Sequence, residues 1–212
     1  KDMILLIQNK ALELSLFLSL PASIALLIGS EQIISALFGY GSFNEVSVSN
    51  SAKALYYFAL GLPAFSLIKV FSTFFFANQD TKTPFYISLI SVMVNIIVSI
   101  SYFSKIGFII IPIATTISSW FNSLILFIFL KNKNLFNFNK IFLSRFIKII
   151  FASLLMGIFF NFLLIYFQNQ LAFSQNLKSF YLIFSVILGL LFYLLVSYMI
   201  KAFKMSDINL KY

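Results

Sequence analysis

The 212-residue sequence contains neither cysteine nor histidine. Disulfides, thiolate nucleophiles and the usual zinc ligands are therefore excluded within it. Its six acidic residues are scattered along the chain, and no glycine-rich loop of the kind that binds phosphate is present. The sequence offers no catalytic or metal site, and we expect neither enzymatic activity nor a cofactor.

Charge is also scarce, whereas apolar residues are abundant. Only 10% of the residues are charged, against about 25% in an ordinary soluble domain, and 61% are hydrophobic. The apolar residues form runs of the length that a membrane helix needs, about 20 residues. The composition therefore predicts an all-α integral membrane protein.

The net charge of +9 raises the question of a nucleic-acid partner. The basic residues lie between the apolar runs, where lysines set topology and contact anionic lipid headgroups. We therefore expect membrane lipids, and no nucleic acid, as partners.

Six runs are long enough to cross a bilayer. The first four lie within residues 1–130, residues 131–140 form a charged cytoplasmic linker, and the last two form a C-terminal hairpin within residues 141–203. Residues 204–212 are predicted to be a cytoplasmic tail. The predicted spans are 11–29, 53–76, 84–103, 106–130, 141–167 and 178–203.

The distribution of basic residues predicts the orientation of these spans. Lys53, Lys105 and Lys178 lie on one side, together with Glu31 and Glu45. Eleven basic residues lie on the other side, and the positive-inside rule therefore places both termini in the cytoplasm. Those eleven are Lys1, Lys10, Lys82, Lys131, Lys133, Lys140, Arg145, Lys148, Lys201, Lys204 and Lys211.

The longest predicted extracytoplasmic segment is 30–52. It is compatible with an interfacial hairpin or short helix, with Phe38, Tyr40 and Phe43 at headgroup level, or with an ordinary connecting loop. Asn44 is expected to cap the stretch that follows, with Glu45 near its positive end.

Lys69 is the basic residue that falls inside a predicted span, about 10 Å from the cytoplasmic end. A cation at the bilayer centre costs about 2.5–3.5 kcal/mol, and less where the side chain reaches the interface. Lys69 either faces a water-filled cavity and binds an anionic substrate, or snorkels without a ligand. We take it as the candidate substrate-binding residue.

A polar turn joins the second and third runs. Thr83 before Pro84 is typical of an N-cap followed by proline at the first helical position. Asp80 is expected to pair with Lys82 or with backbone amides, and a structural role is favoured over substrate contact. The turn consists of Asn78, Gln79, Asp80, Thr81, Lys82, Thr83 and Pro84.

Other polar and helix-weakening residues fall inside the spans. Gly61 and Pro63 weaken the same turn and predict a bend in the second span. Three buried amides are expected to make packing contacts between helices rather than to bind ligands: Asn95, Asn122 and Asn161. Glu13, at the cytoplasmic start of the first span, is expected to be exposed.

Three segments occur in an order that is similar to a known family. They are LSLPASIALLIGS (18–30), LFGYGSF (37–43) and ALGLPAFSLIKVFSTFFFANQDTKTP (59–84). They resemble the C-terminal part of the MurJ (MviN) family of lipid II flippases, within the multidrug/oligosaccharidyl-lipid/polysaccharide exporter superfamily. The later spans match in hydropathy and order more than in individual residues.

The resemblance implies a protein of fourteen helices, with two lobes of six helices and a terminal helix pair. The six spans would be the last six helices: four complete the second lobe, and two form a hairpin whose groove holds the lipid tail. The first lobe, with most of the family's essential charged residues, has no counterpart in this sequence. Of the family's recognisable positions, only Lys69 and the 78–84 turn have counterparts in this sequence.

The implied activity is the movement of undecaprenyl-pyrophosphoryl muropeptide from the inner to the outer leaflet of the bacterial inner membrane, by alternating access. The implied partners are lipid II or a related polyprenyl-pyrophosphate substrate, the missing N-terminal lobe, and cell-wall synthesis or division proteins. The alternatives are a polysaccharide-precursor or multidrug exporter of the same superfamily, or a membrane scaffold that does not transport.

Overall fold

The computed structural model describes residues 2–202, without the side chain of Asp2. Lys1, the end of the last predicted span and the predicted tail 204–212 lie outside this range. The described residues form six α-helices, so the predicted all-α class is confirmed. These are α1 (Asp2–Phe38), α2 (Glu45–Ala77), α3 (Lys82–Ile106), α4 (Ile110–Asn132), α5 (Lys140–Tyr166) and α6 (Lys178–Met199).

Five helical stretches of the described chain are long and apolar enough to cross a membrane. The third stretch contains both α3 and α4, joined by a short 3-10 turn at Gly107–Ile109, where Gly107 has a φ of 71°. The five stretches are Met3–Phe38, Glu45–Ala77, Lys82–Asn132, Lys140–Tyr166 and Lys178–Met199.

α1 and α2 extend well beyond the predicted spans 11–29 and 53–76. They contain 37 and 33 residues, so α1 is about 55 Å long, against about 30 Å for the hydrocarbon core. A separate short helix and a connecting loop across segment 30–52 are both wrong, because α1 and α2 continue through it and leave only residues 39–44 as a turn between them. The interfacial position of this hairpin stays a prediction. Polar residues there project from helix surfaces, which does not require the helix to end.

The first turn of α2 is capped as the sequence predicts. The backbone N–H of Ser47 donates to Asn44 Oδ1 over 2.9 Å, so the predicted cap is confirmed. Glu45 occupies the first turn, where a negative charge is favourable.

The described residues divide into two compact units, and each takes part of α1 and of α2. The first unit contains the residues up to Ser19 and Tyr57–Phe142. The second contains Leu20–Tyr56 and the residues from Leu143 onwards.

In the first unit, α3 and α4 share a polar seam. Asn95 Nδ2 donates to Thr115 Oγ1 over 3.0 Å, and Asn122 Nδ2 lies 3.4 Å from Ser88 Oγ. These contacts between helices are those expected of buried amides in a membrane protein. Asn161 of α5, which was expected to do the same, is exposed.

Also in the first unit, α4 supplies donors to the α2 backbone beside Pro63. Trp120 Nε1 donates to the Leu60 carbonyl over 3.0 Å, and Thr116 Oγ1 donates to the Tyr57 carbonyl over 2.6 Å. Pro63 lacks the N–H that would pair with the carbonyl four residues earlier, at Ala59, and these two side chains add donors to carbonyls on either side of it. Gly61 lies at this contact.

In the second unit, α1 and α5 approach closely at a glycine. A Cβ added at Gly157 would lie 2.5 Å from Ile24 Cγ2. The absence of a side chain at Gly157 therefore lets α1 pack against α5.

We predict that Gly61→Ala destabilises the protein by about 1–3 kcal/mol through overpacking. The added Cβ would lie 3.0 Å from Thr116 Oγ1, which the Tyr57 carbonyl holds in place. Thermal unfolding of the full-length protein in detergent measures the effect.

Gly189→Ala is the matched control. Its Cβ would meet nothing nearer than 3.5 Å, so alanine should be neutral or stabilising by up to about 1 kcal/mol. Equal unfolding midpoints for Gly61→Ala and wild type would contradict the close contact.

Candidate functional site

Lys69 lies on an exposed face of α2, about 12 Å before the helix ends at Ala77. Thr73, one turn further on, is also exposed, and its Oγ1 donates to the Lys69 carbonyl over 2.9 Å. Within the described residues, the Lys69 ammonium makes neither a hydrogen bond nor an ion pair. Its charge is therefore available to a group that the chain does not itself supply.

The polar turn begins with a hydrogen-bonded end to α2. The N–H groups of Asp80 and Gln79 return to the carbonyls of Phe75 and Phe76, over 3.1 and 2.9 Å. Gln79 has a φ of 59°, in the left-handed region where glycine is usual. Asn78 Nδ2 donates to the Phe74 carbonyl over 2.8 Å, which pairs one more acceptor of the last turn.

The side chain that caps α3 is Asp80, not Thr83. Thr83 donates to this carboxylate twice, through its backbone N–H at 3.0 Å and its hydroxyl at 2.7 Å. The predicted Thr83 cap is wrong because α3 begins earlier, at Lys82, and an ionised carboxylate is a strong acceptor at the positive end of a helix. Pro84 lies in the first turn, where its missing N–H costs nothing.

Asp80 also forms an ion pair, but with Lys133 rather than with Lys82. Lys133 Nζ lies 2.6 Å from Asp80 Oδ2 and 3.2 Å from Thr83 Oγ1. We call Asp80, Thr83 and Lys133 the turn clasp. The hydrogen bond from Lys133, followed by those from the backbone and hydroxyl of Thr83, lowers the pKa of Asp80 from 3.8 to about 2.

The linker that carries Lys133 is fixed to the first unit along its length. Phe136 is fully buried, and its ring stacks on that of Phe74 with centroids 5.6 Å apart. Asn9 of α1 donates to the Asn137 carbonyl over 3.0 Å and accepts from the Asn139 N–H over 3.1 Å. Neighbouring Glu13 is only 5% exposed and has a partner, so the expectation that it is exposed is wrong.

Lys178, in the second unit, is a fully buried cation that the sequence analysis counted only for topology. Its Nζ donates to the carbonyls of Gly39 and Phe173 over 2.6 and 2.8 Å. It also lies 4.4 Å from the ring centroid of Tyr40 and 4.5 Å from that of Phe173. Two carbonyls and two aromatic faces thus replace the water around this ammonium.

The next residue extends this contact. Ser179 Oγ donates to the Ala36 carbonyl over 2.5 Å and lies 2.7 Å from the Tyr40 hydroxyl. Lys178 and Ser179 together hold the 39–44 loop against the start of α6. No local signal reveals this cluster, because Lys178 and Gly39 are 139 residues apart in sequence.

The apolar helical stretches define the chain as a multi-pass, all-helical membrane protein. The family model described as "Lipid II flippase MurJ" matches residues 1–182. The chain therefore belongs to the lipid II flippase MurJ family, which confirms the resemblance. This is a family of transporters of the bacterial inner membrane, not of enzymes.

The relatives and one solved structure cover the chain to different extents. A probable lipid II flippase MurJ of Thermotoga maritima is 36% identical over 92% of this chain and 37% of its own length. That of Rhizobium meliloti is 42% identical over 57% of this chain and 23% of its own. A lipid II flippase MurJ in an inward closed conformation matches with a TM-score of 0.75 and 28% identity, over 92% of this chain and 39% of that chain. The chain therefore spans less than two fifths of the length of each.

The turn clasp predicts a pH-dependent contribution to stability. Because the pKa of Asp80 is lowered in the folded state, its contribution is complete above about pH 4 and is lost as the pH falls towards 2. Asp80→Asn keeps the cap and should cost roughly 0.5–1 kcal/mol at pH 7, as expected for an exposed ion pair. Unfolding midpoints of wild type and variant should converge near pH 2.

Two lysine variants control this experiment. Lys133→Met should match Asp80→Asn at pH 7, whereas Lys82→Met should leave the midpoint unchanged. A larger loss for Lys82→Met than for Lys133→Met would restore the Asp80–Lys82 pair predicted from sequence.

The Lys178 cluster predicts a larger loss. Lys178→Met leaves the Gly39 and Phe173 carbonyls buried without a donor, which should destabilise the protein by roughly 2–4 kcal/mol. Lys53→Met, at an exposed lysine near the start of α2, should change stability by less than about 0.5 kcal/mol. Similar unfolding midpoints for the two variants would show that Lys178 does not hold the loop.

Proposed function

We propose that the full polypeptide carrying this chain is a lipid II flippase, and that the chain forms the last six of fourteen helices. On this assignment α1–α4 complete the second lobe, and α5 and α6 form the terminal hairpin. The chain covers 39% of a MurJ structure, which supports its assignment to one part of a longer protein. With 25 and 23 residues, α3 and α4 are each long enough to cross a bilayer separately.

Two contacts support the proposed topology, with both termini in the cytoplasm. In the first unit, the turn clasp joins the α2–α3 turn to the residues after α4, as expected if both lie on the cytoplasmic side. In the second unit, Lys178 joins the end of α1 to the start of α6, as expected if both lie on the extracytoplasmic side.

The proposed activity is the movement of undecaprenyl-pyrophosphoryl muropeptide from the inner to the outer leaflet by alternating access. The observation that carries it is the family match over residues 1–182. The proposed partners are lipid II, or a related polyprenyl-pyrophosphate substrate, the other lobe of the same polypeptide, and cell-wall synthesis or division proteins. A pyrophosphate moves through an apolar membrane only where cationic groups compensate its charge.

Lys69 is the proposed cation of this chain that contacts the pyrophosphate. Its ammonium is exposed, has no partner among the described residues and lies beside the exposed hydroxyl-bearing Thr73. A lysine at this depth is costly when it faces lipid, and less costly when it faces a wet cavity. The combination supports the cavity over snorkelling.

Gly61 and Pro63 are the proposed bend of α2. Pro63 removes the backbone donor for the Ala59 carbonyl, and Trp120 and Thr116 of α4 donate to the carbonyls of Leu60 and Tyr57 on either side of it. Such side-chain bonds allow a helix to bend without leaving unpaired groups. A bend here would let the Lys69 segment rock relative to the preceding turns of α2.

We predict that Lys69→Ala weakens flipping by roughly tenfold or more, the effect expected for a lost hydrogen bond between charged groups. Lys69→Arg should largely preserve it, because the positive charge remains. Growth of a flippase-depleted strain that expresses the full-length variants, together with lipid II flipping in proteoliposomes, measures the effect.

Lys53→Ala, at an exposed lysine of the same helix, is the control and should support full growth and flipping. Full activity of Lys69→Ala would show that Lys69 only extends its side chain to the membrane interface and does not contact the substrate. Wild-type protein that moves other polyprenyl-linked sugars or drugs but not lipid II would favour an exporter of the same superfamily. Absence of any transport would favour a scaffold.

A further inference from the structure

The second unit contains a cleft that neither Lys69 nor any residue of the turn clasp lines. It has a volume of about 370 Å³ and opens where the end of α1, the start of α2 and the α5–α6 connection meet. One part of its wall is aliphatic, with Val48, Leu164 and Leu171. The polar part consists of Glu31, Gln32, Ser35, Glu45 and Gln168.

The two carboxylates of the cleft are uncompensated. Within residues 2–202, neither Glu31 nor Glu45 makes a hydrogen bond or an ion pair. The nearby cation, Lys178, is fully buried and donates to two carbonyls instead. The side chains that line the cleft therefore carry two formal negative charges, and neither is ion-paired within the described chain.

Ser35 provides an independent sign of a ligand. The residue is only 6% exposed, lines the cleft, and its hydroxyl has no hydrogen-bond partner among the described residues. A helical serine often donates to the carbonyl four residues earlier, but Ser35 does not. A buried hydroxyl without a partner costs about 1–3 kcal/mol, and a donor or acceptor on a ligand would remove that cost.

The chemistry of the wall distinguishes between kinds of cation. A calcium ion needs about 6–8 oxygen ligands within about 2.6 Å, and a cleft of 370 Å³ with a partly aliphatic wall does not enclose one so closely. An ammonium group has three N–H donors, which suit two carboxylates and a hydroxyl or amide oxygen. An apolar group attached to the nitrogen would contact Val48, Leu164 and Leu171.

We propose that this cleft binds the ammonium group of a primary amine that carries an apolar body. The amine is either a free molecule or the headgroup of an aminophospholipid, because both present the same three donors. The cleft would thus be a second binding site of the protein, separate from that proposed for the pyrophosphate. This inference does not depend on lipid II transport.

The test uses the full-length protein in detergent and isothermal titration calorimetry with n-butylammonium. Wild type should bind n-butylammonium and not n-butanol, which has the same apolar body without the charge. Glu31→Gln/Glu45→Gln should weaken binding roughly tenfold, since each partly exposed ion pair contributes a few-fold. Glu31→Asp/Glu45→Asp should retain binding within a few-fold.

Ser35→Ala separates a ligand contact from a structural role. It removes a hydroxyl with no partner, so the unfolding midpoint should not fall, yet butylammonium binding should weaken several-fold. The carboxylate variants should lower the midpoint only slightly, through loss of the Glu45 charge from the first turn of α2, because both side chains are exposed.

A second arm identifies the source of the amine. Nanodiscs of equal phosphatidylethanolamine and phosphatidylglycerol are prepared with each variant, and the retained lipids are weighed by native mass spectrometry. Phosphatidylethanolamine retained by wild type but not by Glu31→Gln/Glu45→Gln identifies the lipid headgroup, whereas butylammonium binding without such retention identifies a free amine. Equal butylammonium binding by wild type and this variant, or binding of calcium that butylammonium does not displace, overturns the proposal.

Discussion

The structure depends on one constraint: backbone N–H and C=O groups in an apolar environment must find partners within the protein. Helix ends expose this requirement, because the last carbonyls of a helix have no donor in the following turn. α2, α4 and α6 meet it in the same way. Each is followed by a residue in the left-handed region, Gln79, Asn134 or Lys201, and the next N–H returns to the last turn of the helix. None of these three is glycine, so each end accepts roughly 1 kcal/mol of strain in exchange for paired carbonyls.

The same constraint separates structural from functional side chains. Trp120, Thr116 and Lys178 all donate to backbone carbonyls of other segments, so their donors are occupied. Lys69 differs, because its ammonium has no partner among the described residues, although it lies within an apolar helix. Burial alone would have selected Lys178 as the unusual charge. Several other lysines, among them Lys53 and Lys82, also lack a partner among the described residues, so the proposal for Lys69 rests in addition on its depth within the predicted span 53–76.

Local signals predicted much of the fold, whereas contacts between residues far apart in sequence could not be predicted. Apolar runs predicted the six helices, and the Asn44 cap depends on residues three apart, so it was readable. The Asp80 cap of α3 also joins residues three apart and was readable, but the Thr83-Pro84 pair favoured Thr83 as the cap instead. The ion-pair partner of Asp80 could not be found locally, because Lys133 is 53 residues away. Helix length was underestimated for a different reason. The predicted spans end where polar residues interrupt the apolar runs, and α1 and α2 continue past those residues without a break.

The segment NQDTKTP shows why a recognisable motif need not be a binding site. Asp80 accepts from the Thr83 backbone, the Thr83 hydroxyl and Lys133, so its carboxylate already has three donors and a nearby positive charge. Gln79 is committed to the end of α2 and Pro84 to the start of α3. These contacts all serve the reversal between α2 and α3, and each of the named residues takes part in it. The Lys133 side chain ties this turn to the residues after α4, so the chemistry of the turn is taken up by contacts within the protein, whereas the ammonium proposed to contact substrate, that of Lys69, has no such partner among the described residues.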